Sequence, residues 1–66
     1  FGGSDERIKR DITRIGERNG FGVYLFRYIG SPLWQIGHMA QEVIKVRPDV
    51  VHEVGGYLAI DYGALA

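Results

Sequence analysis

Ser4 and Lys9 stand five residues apart, directly after Gly2-Gly3. A hydroxyl and an amine are the two parts of a Ser–Lys dyad, in which a neutral lysine takes the proton from a serine as its oxygen attacks a carbonyl. The nearest electrophile is the carbonyl of Gly3, just before the nucleophile's own residue. Attack there begins an N-to-O acyl shift, and hydrolysis of the resulting ester follows. Glycine at position 3 lets the backbone take a strained shape that other residues resist.

The spacing sets a geometric condition. In an unbroken helix, positions five apart differ by about 140° around the axis and about 7.5 Å along it. The dyad therefore needs Ser4 at or before a helix N-cap, in extended conformation, with Lys9 one turn inside. Helical side chains lean toward the N-terminus, so the lysine stem could then reach back. Free N–H groups at the helix start would offer an oxyanion site. The lysine must also lose its proton near neutral pH. Lowering its pKa from about 10.4 to about 7.5 costs about 4 kcal/mol, which points to burial at a subunit interface. Taken without further context, Ser4 is an N-cap and Lys9 a solvated helix charge.

The elements follow from periodicity. Ile8, Ile12 and Ile15 fall at i, i+4 and i+7 among charged residues, which predicts a helix over 5–15 after a flexible lead-in at Phe1-Gly2-Gly3. Asp5 and Glu6 suit its positive end. Residues 23–29 are β-branched and aromatic and predict a strand, with Tyr24, Phe26 and Tyr28 on one face. Gly30-Ser31-Pro32 is a turn, and 34–37 returns as the second strand of a hairpin. A short helix over 39–46 has Met39, Val43 and Val46 as its inner stripe, with Ala40 and Ile44 beside it, and Pro48 stops it. A second hairpin pairs 50–54 with 57–61 around Gly55-Gly56. The fold class is α+β, a small single domain of two β-hairpins and two short helices.

Sixty-six residues bury only about 60% of their unfolded surface, and there is no cysteine to compensate. Oligomerisation is the remaining common support. His38 and His52 have no acidic cluster at ligand spacing, so no metal site or cofactor is expected. Lys+Arg and Asp+Glu both number eight, which argues against nucleic acid as a general partner. No apolar run approaches a membrane span. The chain starts with Phe1 rather than Met, and is expected to be a piece of a longer polypeptide.

Two further segments join the first: Ile36-Gly37-His38-Met39-Ala40-Gln41-Glu42-Val43 and Gly56-Tyr57-Leu58-Ala59-Ile60-Asp61-Tyr62. In order and spacing the three resemble the C-terminal intramolecular chaperone domain of phage endosialidases, tailspikes and tail fibres. They are also similar to the self-cleaving region of myelin regulatory factor. The resemblance implies a homotrimer whose partner is the upstream fibre region of its own chain, with residues 1–3 as lead-in and 4–66 as the chaperone domain. It implies Ser4 and Lys9 as catalytic residues of a single-turnover serine endopeptidase that cuts between Gly3 and Ser4. It places the domain in the host cytoplasm during phage assembly, or in the virion tail if it stays attached.

Asp5, His38, Gln41 and Glu42 are candidate supporting residues. Gln41 and Glu42 also read as capping and solvating groups. His38 stands where the resemblance leads one to expect a small apolar residue, and reads either as a partly buried structural histidine or as a polar neighbour of the dyad. Asp61 is a hydrogen-bond acceptor or a strand-end cap. Two alternatives stay open: a trimerisation cap that does not cleave, and a small protein-binding module using Trp34 and Tyr57.

Overall fold

The computed structural model describes residues 2–66; Phe1, the first residue of the expected lead-in, lies outside the described residues. Its strands are β1 (Gly2–Gly3), β2 (Lys9–Arg18), β3 (Phe21–Tyr28), β4 (Trp34–Gly37), β5 (Val51–Val54) and β6 (Tyr57–Ile60). Its helices are α1 (Ala40–Val43) and α2 (Tyr62–Leu65), and single 3₁₀ turns cover Glu6–Ile8 and Pro48–Val50. Two three-stranded sheets form, in the orders β1-β6-β5 and β2-β3-β4, with every pairing antiparallel. Gly2-Gly3 is thus not a loose lead-in but an edge strand, paired with Ile60 and Ala59.

The helix expected over 5–15 is absent from that segment. A 3₁₀ turn leads instead into the ten-residue strand β2. The reason lies in Asn19-Gly20, a strong hairpin signal. Both residues have positive φ (55° and 82°), and they turn β2 straight back onto β3. A long β-branched and aromatic partner then outweighs a helical stripe that has only three isoleucines. Two bulges in β2 absorb the irregular pattern, at Arg10/Thr13 and Arg14/Gly16. At the first, Asp11 adopts φ 54° and is held by Arg10 (2.8 Å) and Arg27 (2.5 Å). Ile12 and Ile15 consequently point outward.

The β3–β4 and β5–β6 hairpins form as expected, the latter closed by Gly55 and Gly56 at φ 60° and 86°. Of the two expected helices, the second survives as the single turn α1; α2 replaces the first. Met39 is the N-cap of α1, and Met39, Ala40 and Val43 are buried. Val46 is 68% exposed, however, because the chain leaves the helix for looser turns after Val43 and the stripe ends there. Phe21, Ala40, Val43, Val50, Val51, Ile60 and Leu65 make one core cluster where α1, α2 and both sheets meet.

What ties the first segment into this core is Asp5. Its carboxylate is fully buried and caps the 3₁₀ turn. It accepts hydrogen bonds from the Arg7 backbone (2.9 Å) and guanidinium (2.7 Å), the Gln41 amide (2.6 Å) and the Leu58 backbone (2.9 Å). Arg7 in turn donates to the Gly56 carbonyl (3.1 Å) and lies over the Tyr57 ring. The Arg7 guanidinium, with the backbone and Gln41 donors, holds the Asp5 carboxyl well below the usual carboxylate range against the cost of its burial.

Two predictions follow from packing and charge. Val43→Asp is expected to unfold the domain, because an unpaired buried charge costs several kcal/mol; Val46→Asp is expected to melt within a few degrees of wild type. The pair of melting curves checks the boundary of α1. Since Asp5 has a folded pKa below its unfolded value of about 3.9, its stabilisation is complete above that pH and is lost as pH falls through the folded value. Asp5→Ala is expected to lose about 2–3 kcal/mol at pH 7 and to flatten the acid limb of a denaturant-midpoint titration between pH 5 and pH 2.

Candidate functional site

Ser4 lies before the N-cap Asp5, outside the 3₁₀ turn, as dyad geometry requires. It is 2% exposed. Its N–H donates to the Leu58 carbonyl (3.1 Å) and its carbonyl accepts from Ala40 N–H (2.8 Å), so the backbone is pinned between β6 and α1. Its Oγ is hydrogen-bonded to the Tyr62 hydroxyl at 2.9 Å.

Lys9 is 5% exposed, and reaches its place by a different route from the one expected. It is the first residue of β2, not a residue one turn into a helix. The register sets it opposite Tyr28 on the inner face of the β2-β3-β4 sheet. Its Nζ donates to the His38 carbonyl (2.9 Å) and sits 4.0 Å from the centre of the Phe26 ring. Burial pushes its pKa down to about 8, against a smaller upward pull from the Asp5 charge. A subunit interface was expected to be necessary for such a shift. The fold of one chain already achieves it, because β3 and the His38 backbone cover the ammonium.

One short segment gathers these groups. The His38 carbonyl takes Lys9, the His38 N–H donates to the Tyr62 hydroxyl (3.3 Å), and Ala40 N–H takes Ser4. Tyr62 opens α2 directly after Asp61, whose side chain caps that helix by accepting from Ala64 N–H. Gly37 makes room for the phenol: a Cβ there would stand 3.1 Å from the Tyr62 hydroxyl oxygen. Ser4 Oγ and Lys9 Nζ thus face the same turn of chain, each on its own partner.

The supporting candidates divide. The His38 ring is buried; its Nδ1 is 2.8 Å from the Gly22 carbonyl, which makes that nitrogen the protonated donor. The ring stacks on Tyr62 and meets Phe21 edge-on. It orients Tyr62 as a structural histidine and does not touch the dyad by hydrogen bonds. Gln41 does not cap its own helix: it accepts from Glu6 N–H (2.9 Å) while donating to Asp5, so α1 braces the segment that carries Ser4. Glu42 accepts from the Tyr24 hydroxyl and is a tie to β3.

The expected oxyanion site is not available. Each N–H at the start of the 3₁₀ turn is already engaged: Glu6 with Gln41, Arg7 with the Asp5 carboxylate, Ile8 with the Asp5 carbonyl. The Gly3 carbonyl oxygen is instead hydrogen-bonded by the Tyr28 hydroxyl at 2.6 Å. Sequence reading missed both Tyr28 and Tyr62. Tyr28 could be found only by reading Asn19-Gly20 as a hairpin and allowing two bulges, since an unbroken ladder from that turn sets Lys9 opposite Gly30. No sequence signal singled out Tyr62.

Neither the curated proteins nor the solved structures gave a match to this chain. A family model described as the chaperone of endosialidase matches residues 4–52. The match begins at Ser4 and includes Lys9 and the segment from Gly37 to Val43; Tyr57 to Tyr62 lie beyond it. It covers well over half of the chain, with the two dyad candidates and the turn that holds them. The chain therefore belongs to the chaperone of endosialidase family.

Proposed function

We propose that this chaperone domain acts on the chain to which it is joined, promoting trimerisation and folding of a phage tail fibre or tailspike, and then releases itself by cutting between Gly3 and Ser4. The observation that carries the reading is a buried serine and a buried, pKa-lowered lysine tied to one turn of backbone, the serine being the first residue of the family match.

The chemistry needs one local change. Ser4 Oγ swings from the Tyr62 hydroxyl to Lys9, and the neutral amine takes its proton. The Oγ bonds to the Gly3 carbonyl carbon, giving a tetrahedral oxyanion. Collapse breaks the C–N bond, and the Ser4 nitrogen leaves as an amine carrying the proton returned by Lys9. The Leu58 carbonyl, which already holds that N–H, keeps the leaving nitrogen in place. The Gly3 ester on Ser4 Oγ is then hydrolysed, leaving a Gly3 carboxylate and a free Ser4 hydroxyl. A cleft of about 250 Å³ lined by Gly3, Ile8 and Leu58 gives water a route toward the ester.

Trimerisation rests on the outward face of the β2-β3-β4 sheet. Leu25 opposite Ile36, and Arg27 opposite Trp34, share that face. Ile36 is 66% exposed and Trp34 is exposed beside it, with the Arg27 guanidinium stacked on the indole. Burying such a surface between copies would add core that a small chain lacks. A retained, non-cleaving cap is the second reading. The hydrogen bond of Ser4 Oγ to Tyr62, rather than to Lys9, favours it.

Four outcomes are expected. Ser4→Ala and Lys9→Met precursors should assemble normally and stay uncut, with melting temperatures near that of wild type; a gel of the assembled precursors checks this, and an uncut wild type would favour the cap. The cleavage rate should rise with pH and level off above about 8, because only the neutral Lys9 accepts a proton. The same group binds protons more weakly folded than unfolded, so domain stability should also rise between pH 8 and the unfolded value of about 10.4. Sedimentation equilibrium should give a trimer, and Ile36→Glu should shift it toward monomer; a wild-type monomer at high micromolar concentration would contradict the interface.

A further inference from the structure

We infer that the Tyr28 hydroxyl is the oxyanion donor of the self-cleavage reaction, a catalytic residue in addition to Ser4 and Lys9. This rests on the cleavage reading above and assigns the group that stabilises its transition state.

The Gly3 carbonyl is the one that Ser4 must attack, and its oxygen becomes negative as the carbon turns tetrahedral. A donor aimed at that oxygen lowers the barrier only if it is already in place when the charge develops. The Tyr28 phenol is in place, 2.6 Å from the Gly3 oxygen. The backbone donors that a helix start would otherwise supply are spent on Gln41 and Asp5.

The phenol is also held rigidly. Tyr28 sits at the end of β3, opposite Lys9, and its ring meets Phe26 edge-on with centroids 5.2 Å apart. Phe26 is the ring under the Lys9 amine, so adjacent inward positions of β3 carry the ring that covers the base and the phenol that donates to the oxyanion. Burial raises the Tyr28 pKa above its ordinary value, so the hydroxyl keeps its proton at the pH where Lys9 is neutral. The scissile peptide is then gripped at both polar atoms: its oxygen by Tyr28 and its N–H by the Leu58 carbonyl. As Gly3 rehybridises, the phenol hydrogen bond strengthens from a neutral to a charge-assisted one. The bond is made to the reacting carbonyl itself, so its loss falls on the chemical step.

The test is Tyr28→Phe in the assembled precursor, with Ser4→Ala as the uncut control. The expected result is a rate lowered about 10²-fold, with unchanged trimer yield and an unchanged pH midpoint set by Lys9. A second readout is independent of turnover. Labelling with carbonyl-¹³C glycine and ¹⁵N serine selects two peptide signals within residues 1–66, Gly3–Ser4 and Gly30–Ser31, the first identified by its loss in Ser4→Ala. In an uncut Lys9→Met background, Tyr28→Phe should move the Gly3 carbonyl resonance upfield and leave that of Gly30 in place. A Tyr28→Phe precursor that cleaves at the wild-type rate overturns the inference while the Ser4 control leaves the cleavage reading standing. An unmoved Gly3 resonance overturns it as well. A Ser4→Ala precursor that still cuts, or a wild type that never does, removes the cleavage reading and the inference with it.

Discussion

The Asp5 carboxylate is the interaction on which the rest of this small structure depends. A buried charge is tolerable only when every lone pair is occupied. Here the occupants come from three parts of the chain: Arg7 beside it, Gln41 on α1 and Leu58 on β6. The charge therefore joins the 3₁₀ turn, the helix α1 and the β1-β6-β5 sheet at one point. Satisfying it fixes the backbone on both sides, with Ser4 pinned between Leu58 and Ala40 and the 3₁₀ turn carrying the chain across to Lys9. In a domain without disulfides and with a thin core, a polar hub of this kind specifies the N-terminal segment more sharply than apolar burial would.

The site is a by-product of that fixation. Ser4, Lys9 and Tyr62 reach the same turn from three elements, and the turn receives them through main-chain groups of His38 and Ala40. Main-chain recognition explains why a histidine is tolerated at 38: its ring lies against Gly22, Phe21 and the Tyr62 ring, while the backbone does the gathering. The lysine is buried by its own chain, so its lowered pKa is a property of the folded domain and not of an interface. Assembly would then act on the serine rotamer rather than on the base.

Much of this was legible in the sequence, in proportion to how local each signal is. Gly55-Gly56 and Gly30 announced their turns, and the alternation from Tyr24 to Tyr28 put those three side chains on one face, though not which face turns inward. Ser4 and Lys9 were singled out by residue type and spacing, and the structure buries both, each on a partner of its own. The helix over 5–15 misled because three isoleucines at helical spacing also fit a bulged strand, and Asn19-Gly20, ten residues away from Lys9, decided between them. Tyr28 and Tyr62 depend on registers 25 and 58 residues distant from the groups they touch, which no local pattern encodes. Gln41 was legible as a polar residue near a helix start, but its true partners lie 35 and 36 residues back.

The central claim is that the chain is cut through an ester at Ser4. Its most direct measurement is the mass of the upstream fragment released when a longer precursor assembles in the presence of hydroxylamine. An ester between Gly3 and Ser4 Oγ yields a fragment that ends in a Gly3 hydroxamate, alongside a domain that begins at Ser4 with a free amine. Cleavage at another bond, or a precursor that assembles and remains whole in hydroxylamine, would contradict the account.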